Sequence, residues 1–239
     1  GLGMKLLLQG NVSRVVLNDL DPAIYSIWDV ILNHADELCT FIKTVPLDMK
    51  QWYSARDTFR TAGGPSPELG KAAFFLNRTN RSGILTGGVI GGKAQSGKYK
   101  IDARFNRDSL CNKVLDISAR SGDIELHNLD VFDFMKDVAP TLSRQSLLYL
   151  DPPYVQKGPG LYKNSFTDDD HRQLSKSVRL YSGNWMVTYD ADALVDELYA
   201  ASEEWAITIG DIKIGYSAAQ SRKVATERLV LGPSLRMPQ

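Results

Sequence analysis

Apolar positions along the chain change their spacing several times, and each change marks an element. Met4–Gln9 and Ala23–Leu32 carry apolar residues at helical spacing, whereas Arg14–Asn18 (RVVLN) is the short β-branched run of a buried parallel strand. Between strand and second helix lies Asp19-Leu20-Asp21-Pro22, with Asp21 placed to cap the helix and Pro22 to occupy its first position. Residues from Asp36 to Leu76 read as further helices, interrupted by the turn-forming Gly63-Gly64-Pro65-Ser66-Pro67. From Asn77 to Asn106 the periodicity is lost, and Gly83, Gly87, Gly88, Gly91, Gly92 and Gly97 stand among polar and basic side chains. A compact domain seldom carries so long an irregular stretch unless it has a function.

Beyond that stretch, Asp123–Asn128, Ser146–Leu150, Trp185–Tyr189, Trp205–Ile209 and Ala225–Leu231 have the composition of strands. Helical patterns over Asp168–Leu180 and Asp192–Ala201 separate several of them. Strands alternating with helices predict an α/β domain with a mostly parallel sheet.

Composition narrows this picture. With 239 residues, 43% hydrophobic and 23% charged, the chain has room for one sizeable core, or one core and a small appended lobe. No signal-peptide pattern is read in these residues, and no apolar run comes near the roughly 18 residues of a membrane span. Its two cysteines, Cys39 and Cys111, and three histidines, His34, His127 and His171, argue against a disulfide framework or a zinc cluster. They fit a reducing cytoplasm. The net charge is zero, 28 basic residues balancing 28 acidic ones. The distribution is uneven, however. Lys71–Lys113 holds nine basic residues against two acids, a local charge of +7, and Asp116–Asp137 holds six acids against two bases, a local charge of −4. Such runs are as compatible with a solvated face as with a nucleic-acid surface.

Three acids stand where ligands of open α/β sheets bind, beyond the carboxyl ends of strands: Asp19, Asp130 and Asp151. Asp19 follows Gly1 and Gly3 at the spacing with which a glycine turn and an acid hold a nucleoside ribose. Asp130 is then placed to accept from the exocyclic amine of the bound nucleoside. The sharpest signal is Asp151-Pro152-Pro153-Tyr154. The residue before a proline is held extended, and neither proline has an N–H, so the turn offers only acceptors. A carboxylate and a proline carbonyl make a pair of acceptors suited to an NH2 group, and Tyr154 adds a flat surface on which a base can stack.

With these motifs the chain resembles Dam-type DNA adenine-N6 methyltransferases of the Asp-Pro-Pro-Tyr class. Asn18-Asp19-Leu20-Asp21 is similar to the family's ribose-binding strand end, and Asp130-Val131-Phe132 to its cofactor-adenine contact. Asn77-Arg78-Thr79-Asn80-Arg81-Ser82-Gly83 resembles the start of its target-recognition region, which Lys98–Asn106 continues. The motifs occur in the family's order. The resemblance implies a Rossmann-like S-adenosylmethionine-dependent sheet with helices on both faces. Residues 1–35 and 114–239 would form the catalytic domain, and 36–113 an inserted region for recognising double-stranded DNA. It implies Asp151, Pro152 and Tyr154 as catalytic residues and Gly1, Gly3, Asp19, Leu20, Asp130, Val131 and Asp151 as cofactor contacts. Asn77, Arg78, Arg81, Lys98 and Arg104 would be the nucleic-acid contacts; Lys157, Tyr162 and Lys163, in the loop after the catalytic motif, read either as holding the distorted strand or as a solvated loop. No metal is expected, and the oligomeric state stays open, a monomer included. Two features depart from the family. Its aromatic-x-Gly-Gly motif and the element before it have no counterpart, so further residues are expected ahead of Gly1. Arg81 stands where many relatives carry an aromatic residue.

An Asp-Pro-Pro-Tyr turn serves other exocyclic amines equally well, so cytosine-N4 and RNA amino methyltransferases remain open at the level of residues, as does an inactive DNA-binding relative. Two further patterns are decoys. Gly87-x4-Gly92-Lys93 and Gly92-x4-Gly97-Lys98 mimic a P-loop but continue with Ala94 and Tyr99, leaving no hydroxyl for magnesium. Asp168-Asp169-Asp170 after Thr167 reads as the start of a capped helix, where the dipole favours acids, rather than as a metal cluster.

Overall fold

A computed structural model describes residues 1–155, 166–200, 207–216 and 223–237. The chain packs as two compact units, Gly1–Leu129 and Asp130–Gln239. Lys157, Tyr162, Lys163 and the first part of the expected strand Trp205–Ile209 lie outside the described residues.

Helices dominate the first unit. Helix α1 (Leu2–Leu8) leads to strand β1 (Val15–Asn18), then to α2 (Pro22–Asn33), α3 (Ala35–Thr44), α4 (Met49–Thr61) and α5 (Pro67–Thr79). The starts of α2, α4 and α5 have a local chemical cause. Asp21 accepts from the Ala23 N–H with Pro22 next in the chain, Asp48 caps α4 through the Gln51 N–H, and Ser66 caps α5 through the Leu69 N–H, again followed by proline. The helices bury Val30, Leu38, Ile42, Trp52, Phe75 and Leu76 against one another. Helices α2 and α5 cross so closely that a Cβ on Gly70 would stand 2.3 Å from the Ser26 carbonyl oxygen.

A further helix, α6 (Arg107–Ser118), follows the glycine-rich stretch and is not among the expected elements. Asn106 caps it by accepting from Ser109, and Cys111 and Val114 face the core. Cys39 and Cys111 meet between α3 and α6 as buried free thiols, Cys111 donating to the Cys39 carbonyl at 3.6 Å. Strand β2 (Ile124–His127) then pairs in parallel with β1, Val15 opposite Ile124 and Asn18 opposite His127. Both strands are only half-buried, where the sequence suggested a buried strand.

The second unit begins with the single helical turn α7 (Val131–Asp133), which runs on into a π-helical stretch over Phe134–Val138. Strand β3 (Leu147–Leu150), helix α8 (Asp168–Leu180), strand β4 (Asn184–Asp190), helix α9 (Ala193–Leu198) and strands β5 (Thr208–Tyr216) and β6 (Lys223–Leu231) follow. The sheet order is β3-β4-β6-β5. Strands β3 and β4 are parallel, while β6 is antiparallel to both β4 and β5. The described strands therefore group into two sheets, one parallel and one mixed, rather than a single mostly parallel one. The connection between β5 and β6 is too short for the crossover that parallel pairing demands. Thr167 and Asp170 close a capping box at the start of α8, so the acidic run there is a helix start. Among the described residues no group of acids, histidines and cysteines could hold a metal ion, and no helix is long and apolar enough to cross a membrane.

Candidate functional site

In the first unit, Asp19 sits directly after β1, its backbone N–H continuing the ladder to the His127 carbonyl at 3.2 Å. Two asparagines, neither of them a candidate contact residue, hold this corner. Asn18 donates to the Leu129 carbonyl and accepts from the Leu129 N–H, both at 3.0 Å. Asn128 donates to the carbonyls of Asp19 at 2.7 Å and Leu20 at 3.1 Å. The two side chains extend the β1–β2 pairing past its last backbone bonds and fix the loop that presents Asp19. One Asp19 oxygen accepts from the Asp21 N–H at 2.9 Å. Burial raises the pKa of this carboxyl, the Asp21 N–H lowers it, and the Asp21 charge raises it. Leu20 is exposed beside it.

Gly1 and Gly3 do not form a turn here. Gly1 is the N-cap of α1 and Gly3 lies inside that helix, where a Cβ would come within 3.2 Å of Val15 Cγ1. The small residue lets α1 lie close to β1.

The first residue of the second unit is Asp130, which caps α7 by accepting from the Phe132 N–H at 2.8 Å, with Val131 as the first helical residue. Phe132 stacks on Phe166, which lies against His171, which in turn meets Tyr189. This aromatic row forms part of the packing around α8 and β4.

The Asp151-Pro152-Pro153-Tyr154 turn leaves the carboxyl end of β3. Pro152 is buried, Pro153 and Tyr154 are half-buried, and Asp151 is exposed. Strand β4 braces the turn at two points. Thr188, 4% exposed, donates from Oγ1 to Asp151 Oδ1 at 2.9 Å, and Asp190, 5% exposed, accepts from the Val155 N–H at 3.1 Å. Although Asp151 reaches the surface, enough protein surrounds its carboxyl that desolvation raises its pKa. The Thr188 hydrogen bond lowers it, and the Glu227 charge raises it further. Neither Thr188 nor Asp190 stood out in the sequence. What identifies them is register, since the pairing of Leu150 with Val187 puts Asp151, just past the end of β3, beside the last residues of β4.

The recognition candidates separate into groups. Asn77 and Arg78 belong to the last turn of α5 rather than to the irregular stretch. Asn77 donates to the Gly83 carbonyl at 2.9 Å and its oxygen accepts from Arg78 Nε at 3.0 Å. Arg104 reaches the Asn80 carbonyl at 3.3 Å and its guanidinium lies over Gly83. Burial, then the charge of Arg104, pulls the Arg78 pKa down. Asn77, Arg78 and Arg104 thus gather around Gly83. Arg81 lies instead across Gly88, and the exposed Lys98 stands over the Tyr99 ring at 5.7 Å.

Asn80 and Gln95 shape this region. The fully buried Asn80 accepts from Trp52 Nε1 at 2.7 Å and donates to the carbonyls of Ile84 and Leu85 at 2.9 and 3.0 Å. That fixes a tight turn in which Ser82 and Gly83 both have positive φ. Gln95 ties together Ile90, Gly92 and Ile101, so the P-loop-like glycines close a turn of their own.

Comparison with known proteins identifies the class of the chain. Residues 4–209 match the family model of D12 class N6 adenine-specific DNA methyltransferases, and the chain belongs to that family. It is a methyltransferase acting on adenine in DNA, and the family implies S-adenosylmethionine as methyl donor. No curated protein matches the chain.

Proposed function

We propose that Asp151 and the Pro152 carbonyl grip the exocyclic amine of an adenine turned out of duplex DNA, with Tyr154 stacking on the ring. The observation that carries this reading is the bracing of the turn by β4, through Thr188 on the carboxylate and Asp190 on the backbone after it. An acceptor held at both ends is the geometry that orienting an NH2 group requires, and placement of well-oriented reactants supplies about 7–11 kcal/mol of a barrier. Accepting the two amine hydrogens turns the nitrogen lone pair outward as nucleophile. Unstacking the base costs a few kcal/mol, which the recognition contacts offset.

The residues of the first unit suit a nucleoside cofactor. Asp19 keeps a carboxylate at a strand end with one oxygen already fixed by Asp21. Such a group accepts from a ribose diol. In this reading Asp19 and Leu20 hold the ribose, and Asp130 and Val131 the adenine of S-adenosylmethionine. Gly3 lets α1 lie close to β1. The cofactor would supply the methyl group, its sulfonium sulfur leaving as a neutral thioether while the amine gives up one proton. The parallel pairs β1–β2 and β3–β4, each with an acid beyond its carboxyl end, support the Rossmann-like arrangement.

Residues 36–113 act in this reading as the DNA-recognition insert, with Asn77, Arg78, Arg81, Lys98 and Arg104 contacting phosphates and base edges of double-stranded DNA. Phosphate contacts supply most of the affinity and base contacts the sequence choice. Mass spectrometry of nucleosides from DNA treated with the chain and S-adenosylmethionine tests the reading. N6-methyladenine with wild type and none with Asp151→Ala is expected. N4-methylcytosine, or product from the Asp151→Ala variant, contradicts it.

A further inference from the structure

The amine-binding carboxylate is the end of a longer chain of hydrogen bonds. Strands β3 and β4 are parallel with Leu150 opposite Val187, so the next pair in register is Asp151 beside Thr188. Side chains alternate along a strand, which puts Tyr149 and Asp151 on one face of β3. On that face Thr188 Oγ1 donates to Asp151 Oδ1 at 2.9 Å, and the Tyr149 hydroxyl lies 3.1 Å from Thr188 Oγ1. A hydroxyl has one proton to give, and an ionised carboxylate only accepts. The Thr188 proton is therefore committed to Asp151, and Tyr149 is the donor to Thr188. Burial pushes the Tyr149 hydroxyl above its usual range, so it keeps its proton at neutral pH. The chain runs one way, from Tyr149 through Thr188 to Asp151.

We propose that Thr188, oriented by Tyr149, is a positioning residue for methyl transfer: its hydroxyl occupies one oxygen of Asp151 and leaves the other to receive the adenine amine. This rests on the reading of Asp151 as the amine acceptor. Unlike Asp151, Thr188 touches no reacting atom. It fixes the carboxylate rotamer, and it favours the ionised form against the groups that oppose it.

The titratable groups around Asp151 come from β3, β4 and β6, and the charge that opposes its ionisation is that of Glu227. Tyr149 faces Asp151 from β3, and Asp190 lies on β4 with its Oδ1 on the Val155 N–H. Glu227 lies on β6, opposite Asp190 in the register, and is 7% exposed. The Glu227 charge raises the Asp151 pKa and the Thr188 bond lowers it. Removing the Thr188 hydroxyl removes a stabiliser of the charged form, so the Asp151 pKa rises. Activity that needs the ionised carboxylate is then lost at a higher pH on acidification.

The test compares Thr188→Val, Thr188→Ser, Tyr149→Phe and Asp151→Ala with wild type, using two readouts. One is the pH profile of kcat/KM for methyl transfer. The other is the carbon-13 carboxyl titration of Asp151 by NMR in the cofactor-free chain. Thr188→Val is expected to lower kcat about tenfold at neutral pH, the scale of one hydrogen bond to a charged group, with KM for the cofactor little changed. It should also move both the acid limb and the NMR midpoint up by about one unit. Thr188→Ser restores both, and Tyr149→Phe shifts both in the same direction by less. A Thr188→Val midpoint at the wild-type value, or no restoration by serine, overturns the proposal. If the valine variant does not fold, Tyr149→Phe decides, since that side chain is 42% exposed, and an unmoved midpoint there overturns it. An active Asp151→Ala variant defeats the amine-acceptor reading itself. An inactive one, together with an unmoved Thr188→Val profile, defeats this inference alone.

Discussion

Asp19 and Asp151 share an electrostatic design: each is an acid whose pKa is raised chiefly by burial, with a single hydrogen-bond donor working against that rise. Both are needed as anions if they are to accept from a ribose and from an amine. On acidification, activity should therefore fall at a pH above the ordinary range of an aspartate, and kcat/KM measured from pH 4 to 8 checks the direction. Asp19→Ala should weaken cofactor binding at least tenfold while leaving DNA affinity within about twofold, as calorimetric titration with S-adenosylmethionine would show. Unchanged cofactor affinity would remove Asp19 from the site. At this scale the sequence was informative where covalent stiffness sets the geometry. Asp151-Pro152-Pro153-Tyr154 is legible because proline restricts its own φ and its predecessor's ψ. Thr188, Asp190, Asn18 and Asn128 are ordinary polar residues whose roles arise from strand register, which a linear reading does not contain.

Elements depend on a few close approaches. Helices α2 and α5 cross at Gly70 with no space for a methyl group beside the Ser26 carbonyl. Gly70→Ala should destabilise the first unit by about 1–3 kcal/mol, read as a lower denaturation midpoint in urea. Asn80 joins α4 to the turn at Ser82-Gly83, and Asn80→Ala takes away the partner of the buried Trp52 N–H and of the Leu85 carbonyl, while Ile84 keeps the Gly87 N–H. A loss of about 1–3 kcal/mol is expected, with DNA binding weakened more than cofactor binding. Capped helices were predictable from sequence because cap and proline signals are local, as at Asp21-Pro22. Helix α6 was not, since it follows a glycine-rich segment, and its Asn106 cap reads equally well as a loop residue. Strands β1 and β2 were found, but β1 was expected to be buried and is half-buried, because β-branched runs report strand propensity and not which faces are covered.

For the whole molecule, net charge conceals the asymmetry that matters. The chain is neutral, yet the segment Lys71–Lys113 is strongly basic, and its Asn77, Arg78 and Arg104 are drawn together around Gly83. If Arg104 meets a phosphate, Arg104→Gln should reduce the slope of log affinity against log salt by about one, uniformly across DNA sequences. A change of sequence preference at constant slope would make it a base contact instead. The family was recognisable because its motifs keep their order over most of the chain, and the match over residues 4–209 bears that out. The central claim is that a braced acidic turn orients an adenine amine for methylation. The most direct measurement is single-turnover methyl transfer by Asp151→Ala, with DNA affinity determined on the same preparation. The expected result is transfer below about a tenth of wild type with DNA binding nearly unchanged; transfer at or near the wild-type rate would contradict the account.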